Sequence, residues 1–358
     1  MRHAVPTRSR TRLVVNLAAV VGALGCITQL AFGPLHIASS AVAAPATTGR
    51  TVRARTGPTT GVRVKRLPPT ELIAHATLAA PAAHPHESTA DFPDPFVLHT
   101  RWDYIAYATN NRDGNVPMRR SADLRSWAPA GDALPKLPDW ATAGGTWAPS
   151  VLPVGDHFVM YVALHTTTGH ECVATANAPN PLGPFHIDPD ITRACIVWDA
   201  IDASPFVDTD GSKWLLYKID TLPYRIDAQR ISADAAHLEG PATTVLRPTQ
   251  TWEAGNVEGP SLARRDGILF LLYSANNYRT TGYRIGVATC ATPAGPCAAS
   301  PRPFLTSGAG IEGPGGAEWV RDGATSTDQV GFAAWQTDSG PSRPVRGLHV
   351  IDTHVRQP

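Results

Sequence analysis

Apolar and polar positions along this chain repeat with a long period. Five times between Asp94 and Trp335 the sequence passes through a turn carrying proline, a short apolar run, a polar turn and a second apolar run. The openings are Asp94-Pro95-Phe96-Val97-Leu98, Trp147-Ala148-Pro149-Ser150-Val151-Leu152, Asp202-Ala203-Ser204-Pro205-Phe206-Val207, Glu258-Gly259-Pro260-Ser261-Leu262 and Glu312-Gly313-Pro314-Gly315-Gly316. Their prolines fall at 95, 149, 205, 260 and 314, in steps of 54, 56, 55 and 54 residues. Second runs follow at Tyr104–Ala108, His157–Ala163, Trp214–Lys218, Leu269–Ser274 and Val330–Trp335. Tyr107, Tyr161 and Tyr217 each stand 12 residues past their proline, and Tyr273 stands 13 past. Short runs bounded by turn residues read as strands, and no helical period of useful length competes. A unit of this length with three or four strands has the size of a propeller blade. The expected fold is therefore all-β, a five-bladed β-propeller, with an irregular β-sandwich as the alternative.

Ahead of the repeats, a basic stretch from Arg2 to Arg12 precedes an apolar run from about Leu13 to Phe32. Ala41-Val42-Ala43-Ala44 then offers a small-residue cleavage site, so residues 1–44 are expected to be an export signal. An uncleaved membrane anchor is the alternative, against which Asn16, Thr28 and Gln29 interrupt the run. Residues 45–85, rich in Thr, Pro, Ala and Arg, lack an apolar pattern and read as a flexible linker. The propeller is then expected over 86–358.

Charge narrows the function. Without the four arginines of the signal, 27 basic side chains face 30 acidic ones. A nucleic-acid partner, which needs a basic surface, is excluded. Four cysteines remain after cleavage, Cys172, Cys195, Cys290 and Cys297. In an exported chain they are expected to be disulfides, most simply paired between sequence neighbours; buried thiols are the alternative. No cysteine or histidine spacing suits a metal.

The candidate chemistry lies at the repeat openings, because the innermost strands of a propeller line its central channel. Asp94, Asp202 and Glu258 open the first, third and fourth repeats, Glu312 repeats the Glu-Gly-Pro of Glu258 in the fifth, and Trp147 stands near the same level in the second. A structural need for acids would recur in every repeat. Carboxylates crowded into one funnel raise at least one pKa, which a general acid needs. An aromatic rim suits the apolar C–H face of a sugar. One protonated carboxyl and one carboxylate together imply glycoside hydrolysis.

The segments Asp91-Phe92-Pro93-Asp94-Pro95-Phe96-Val97-Leu98, Thr146-Trp147-Ala148-Pro149 and Ile201-Asp202-Ala203-Ser204-Pro205-Phe206 resemble those of glycoside hydrolase family 43. So do Ser121-Ala122-Asp123-Leu124-Arg125-Ser126-Trp127, Asp208-Thr209-Asp210-Gly211 and Val257-Glu258-Gly259-Pro260-Ser261, in the same order over roughly 90–338. The resemblance implies an inverting mechanism with Asp94 as general base, Glu258 as general acid and Asp202 orienting Glu258 and tuning its pKa. It implies arabinans, arabinoxylans or xylo-oligosaccharides as substrates. An α-L-arabinofuranosidase or arabinanase is expected, with a β-xylosidase or a non-catalytic sugar-binding propeller as alternatives. The related invertase-like propellers carry Asn-Asp-Pro and Arg-Asp-Pro, and neither tripeptide is present.

Two departures stand out. The second motif usually continues with an acid, where this chain has Ser150. The fifth blade often carries a histidine, linked in part of the family to an axial metal, but here the strand reads Gly331-Phe332-Ala333-Ala334-Trp335. No cofactor is therefore expected to be required, and the case for an axial calcium is weakened. Trp147, Ile201 and Tyr278 are the candidate substrate contacts. Glu253 is expected on the rim, Asp91 capping the turn that leads into the first strand, Asp208 and Asp210 in a hairpin turn, and Glu312 in a structural role. His165 and His170 are placed on a surface loop near the cleft. The partner is a plant cell-wall polysaccharide or oligosaccharide, met outside the cell by a monomer.

Overall fold

The computed structural model describes residues 77–79, 91–323, 325–336 and 345–356. The expected signal, residues 1–44, lies outside them. So does the expected linker apart from Thr77–Ala79, a strand that pairs antiparallel with His354–Arg356.

The chain forms five antiparallel blades. The first holds Phe96–His99, Tyr104–Tyr107, Pro117–Ser121 and Ala128–Asp132 in sequence order. The second holds Ala141–Val154, His157–Thr166, Glu171–Ala178 and Cys195–Trp198, with His186–Ile187 as a short addition. Ala200–Val207, Lys213–Ile219, Arg225–Ile231 and Leu238–Leu246 make the third. The fourth is Val257–Arg265, Ile268–Ala275, Arg284–Cys290 and Cys297–Ala299. The fifth is Ile311–Asp322, Thr325–Gln336 and Gly347–Asp352. Its innermost strand bridges in parallel to that of the first blade, Arg321 opposite Leu98 and Asp322 opposite His99, which closes the ring.

The apolar runs have no polar alternation because each blade is covered on both faces. Successive side chains of a strand point to opposite sides. Leu269, Leu271 and Tyr273 accordingly enter the core shared with blade three, while Phe270 and Leu272 enter the core shared with blade five. Five such cores, one between each pair of neighbouring blades, replace a single centre. The sequence-local cysteine pairs are disulfides, Cys172–Cys195 joining the outer strands of blade two and Cys290–Cys297 those of blade four.

The innermost strands of blades two to five carry the same irregularity. The pairing register slips between Trp147 and Ser150, Ile201 and Ser204, Glu258 and Ser261, and Gly315 and Glu318. One residue inside each slip adopts a left-handed backbone: Ala148 (φ 44°), Asp202 (58°), Gly259 (55°) and Gly316 (60°), with Asp94 (50°) the counterpart in blade one. These β-bulges re-aim the side chains at the funnel mouth. They also correct the sequence alignment of the openings. Pro95, Pro149 and Pro260 follow the left-handed residue directly, but Ala203 and Ala317 stand there in blades three and five. Asp94 and Asp202 are true equivalents. Glu258 belongs one step earlier, at the level of Trp147, Ile201 and Gly315.

Candidate active site

Strand direction places the three acids at one mouth of the channel, since each lies at the leading end of an innermost strand. Asp94 and Asp202 line a small cavity at the funnel floor, about 30 Å³ in volume, together with Gly316, Tyr283 and Glu318. That is room for roughly one or two waters and not for a ligand the size of a sugar ring.

Asp94 accepts a hydrogen bond from Thr109 Oγ1 at 2.8 Å. Thr109 Oγ1 in turn accepts from the backbone N–H of Ala148 at 2.9 Å, which ties the left-handed turn at Asp94 to the bulge of blade two. On the opposite side Gly316 leaves no space: a Cβ there would lie 2.6 Å from Asp94 Oδ1 and 2.9 Å from its Cα. Burial raises the Asp94 pKa; the Arg346 guanidinium and the Thr109 hydrogen bond oppose that rise.

Glu258 is gripped by three donors. Lys218 Nζ reaches Oε2 at 2.9 Å, Asn256 Nδ2 reaches the same oxygen at 3.0 Å, and the Tyr283 hydroxyl donates to Oε1 at 2.7 Å. Lys218 also pairs with Asp220 at 2.8 Å and lies 4.5 Å from the Tyr224 ring centre. Burial works against its charge, but Glu258, Asp202 and Asp220 outweigh burial and raise its pKa above the ordinary value. Burial and the nearby Glu258 charge likewise keep the Tyr283 hydroxyl protonated.

Asp202 accepts from the backbone N–H of Gly259 at 2.9 Å, which locks it beside Glu258 across the boundary of blades three and four. Burial, followed by the charges of Glu258 and Asp94, pushes its pKa up to about 8. The charge balance explains why. Among the described residues, Lys218 and Arg346 are the cations acting on Asp94, Asp202 and Glu258, with Asp91 and Asp220 adding to the acid side. Acids outnumber bases, so the cluster keeps a proton near neutral pH, shared between neighbouring carboxyls as one coupled titration. At rest it belongs with Asp202.

Trp147 and Ile201 share the strand level of Glu258 on blades two and three, both half-buried. Tyr278 stands farther out, 47% exposed on the loop after the second strand of blade four, with Arg279 stacked 5.2 Å from its ring centre. His165 packs 6.1 Å from the Trp147 ring and bonds Glu171 at 2.8 Å. His170 bonds Asp199 at 3.0 Å beside the exposed Trp198, a further rim aromatic that the sequence reading omitted.

Several readings change. Glu253 is no rim residue: it is fully buried and accepts from the N–H groups of Thr249 and Gln250 and from the Tyr273 hydroxyl. Asp91 does not cap its own turn; its Oδ1 accepts from the backbone N–H of Arg346 at 2.9 Å and holds the last blade to the first. Asp208 sits in its hairpin turn but also makes a two-pronged pair with Arg264, at 2.8 and 2.7 Å. Glu312 lies three residues ahead of Gly315, the blade-five counterpart of Glu258. Lys218, Asn256, Tyr283 and Arg346 were missed. Lys218 closes an apolar strand run, a position where a lysine in a doubly covered blade is anomalous, and that was the available signal.

The chain matches the family model "Glycosyl hydrolases family 43" over residues 88–346. It is 27% identical over 222 residues to a β-D-galactofuranosidase of Aspergillus niger, covering 57% of this chain and 61% of that protein. It is 26% identical over 204 residues to α-L-arabinofuranosidase 43 of Humicola insolens, covering 51% of this chain and 40% of that one. The matches thus span less than two thirds of either relative. Among solved structures, a thermostable family-43 glycoside hydrolase superimposes with a TM-score of 0.67 at 27% identity, over 78% of this chain and 96% of that one.

Proposed function

The chain belongs to family 43 of the glycosyl hydrolases, and on that premise we propose that it is a secreted, inverting glycosidase acting on arabinofuranosyl linkages of plant polysaccharides or their oligosaccharides. Asp94 is the base that activates water, and Glu258 is the acid that protonates the leaving oxygen, drawing on the proton it shares with Asp202. The acid-rich cluster carries this reading. It keeps one carboxyl protonated near neutral pH beside a carboxylate that can take a proton, the pairing that glycoside hydrolysis requires. Inversion needs the two carboxyls about 6.5–9.5 Å apart, with a water between. Asp94 and Glu258 stand on non-adjacent blades with Gly316 of blade five between them, which supports the wider spacing. The furanoside names of both curated relatives support a five-membered sugar ring. The two disulfides support export.

Incubating the full chain with arabinan, arabinoxylan, xylo-oligosaccharides and a panel of aryl furanosides and xylosides tests the substrate class. Sugar release from the arabinose polymers, with aryl arabinofuranoside preferred over aryl xyloside, is the expected result. A preference for the xyloside would make the enzyme a xylosidase, and binding without turnover on any substrate would make it a sugar-binding propeller.

The charge balance predicts a pH effect. Asp202→Asn keeps the acceptor for Gly259 but removes the carboxyl that holds the cluster's proton near neutral pH, so the protonated, active form of the cluster should be lost at lower pH. The basic limb of the kcat/KM profile should move down. Stability should change as well. Asp202 has a folded pKa raised from 3.8 to about 8, so its protonated form favours the fold at low pH and that contribution is lost as pH rises through about 8. The Asn variant should show a flatter dependence of Tm on pH between these values. An unmoved basic limb would remove Asp202 from the proton inventory.

A further inference from the structure

Below the catalytic carboxylates, the first paired residue after each bulge of blades two to five is a buried polar side chain. In blades two, three and four it is a serine: Ser150, Ser204 and Ser261, each almost fully buried. In blade five it is Glu318, and three residues later the same strand supplies Arg321, 3% exposed. Ser150 Oγ donates to the backbone oxygen of Ala203 at 2.5 Å. Ser261 Oγ donates to Glu318 Oε2 and accepts from the N–H of Trp319 at 3.0 Å.

Arg321 gathers this group. Its Nη2 lies 3.2 Å from Glu318 Oε2, 3.3 Å from Ser261 Oγ and 3.4 Å from Ser204 Oγ. Its Nη1 donates to the backbone oxygen of Leu262 at 3.2 Å and to Ser326 Oγ at 2.7 Å. One guanidinium therefore touches blades three, four and five at the level where their innermost strands converge. The positive charge at the axis is covalently part of the chain.

A divalent cation does not fit this place. Calcium takes six to eight oxygen ligands, carboxylates prominent among them. Of the carboxylates around it, Glu318 is already paired with Arg321, while Asp94 and Asp202 on the cavity above are engaged by Thr109 and by the backbone N–H of Gly259. The other ring members are hydroxyls engaged in the network, and the first blade contributes Phe96, which is buried in the core shared with blade two. The buried His349 stacks on Phe332 from the third strand of blade five, away from the innermost strand.

We infer that the Arg321–Glu318 pair is a resident cation site supplied by the protein, which makes the funnel floor independent of divalent metal and makes Arg321 a positioning residue for the catalytic carboxylates. The route is short. Ser204 is two residues past Asp202, and Ser261 is three past Glu258, so the guanidinium sets the spacing of the two blades that carry the acid and its proton partner. The kinetic part of this inference rests on the proposed glycosidase activity; the metal part does not.

The wild-type full chain, treated with EDTA, desalted and melted with and without added calcium, gives the first readout. The same Tm is expected for the untreated, the EDTA-treated and the calcium-supplemented protein, and a Tm lowered by EDTA and restored by calcium would overturn the metal part whatever the enzyme's activity. Arg321→Lys keeps the charge but cannot reach three blades at once. It is expected to lower kcat by about tenfold with KM within twofold, since small misplacements act on turnover more than on binding. Unchanged kcat would overturn the positioning role. Arg321→Met strands the Glu318 carboxylate and should lower Tm by roughly 10 °C, whereas Arg321→Met with Glu318→Gln should recover most of that loss. A double variant no more stable than the single one would show that the two residues do not act as a pair.

Discussion

Replacing Asp94 by asparagine is expected to lower turnover by roughly 10³–10⁴-fold while leaving the propeller folded. Asparagine is the informative choice. Asp94 sits at φ 50°, a left-handed backbone that Asn adopts as readily as Asp and more readily than residues without a short polar side chain. The Asn carbonyl can still accept from Thr109, and the amide fits the space left by Gly316. What disappears is the capacity to take a proton from water. Melting curves should therefore nearly coincide with wild type while kcat collapses. The same residue decides the stereochemistry. Proton NMR of the first sugar released by the wild-type enzyme should show inverted anomeric configuration, because a base delivers water to the face opposite the leaving group. A first product with retained configuration, or an Asn variant with more than about a tenth of wild-type turnover, would remove Asp94 from the role of base.

Glu258→Gln should cost at least about a hundredfold on natural, unactivated glycosides. The amide keeps the shape of the carboxyl: its oxygen can still accept from Lys218 and Asn256 while its NH2 faces the Tyr283 hydroxyl, which can accept, and Lys218 keeps Asp220 as its counter-ion. The lost element is proton donation to the leaving oxygen. Aryl glycosides with good leaving groups depart without that proton and should lose far less. The ratio of the two losses is the measurement. Equal loss on both substrates would mark Glu258 as a structural partner of Lys218. A variant that retained activity on arabino-oligosaccharides would assign the acid elsewhere, and Asp202 would be the candidate.

Both experiments concern residues that were visible before any coordinates. Asp94, Asp202 and Glu258 stand out because they break a repeat: an acid at the head of a proline-led strand in some blades and not in others. The residues that set their electrostatics were harder to see. Lys218 looked like the last residue of an apolar strand, and Arg346 lies beyond the repeated segment. Neither has a motif. A cation acting on a carboxylate 40 residues away in sequence, as Lys218 does on Glu258, or about 250 away, as Arg346 does on Asp94, leaves no local pattern. The same holds for Glu253, which resembled a loop acid and is buried under Tyr273.

Local spacing in this chain determined the blade count, the all-β class, the two short-range disulfides and the three acids, because each depends on a period or a pairing contained within one blade. Tertiary structure decided what the prolines had disguised: the position of each bulge. A bulge is set by which residues of the neighbouring strand form the ladder, so equal spacing from proline did not guarantee equal height in the funnel. Tertiary structure also decided which cations face the acids and what fills the axis. Those contacts join blades that fold back on one another only when the ring closes, and closure brings together residues whose separation in the sequence carries no signal.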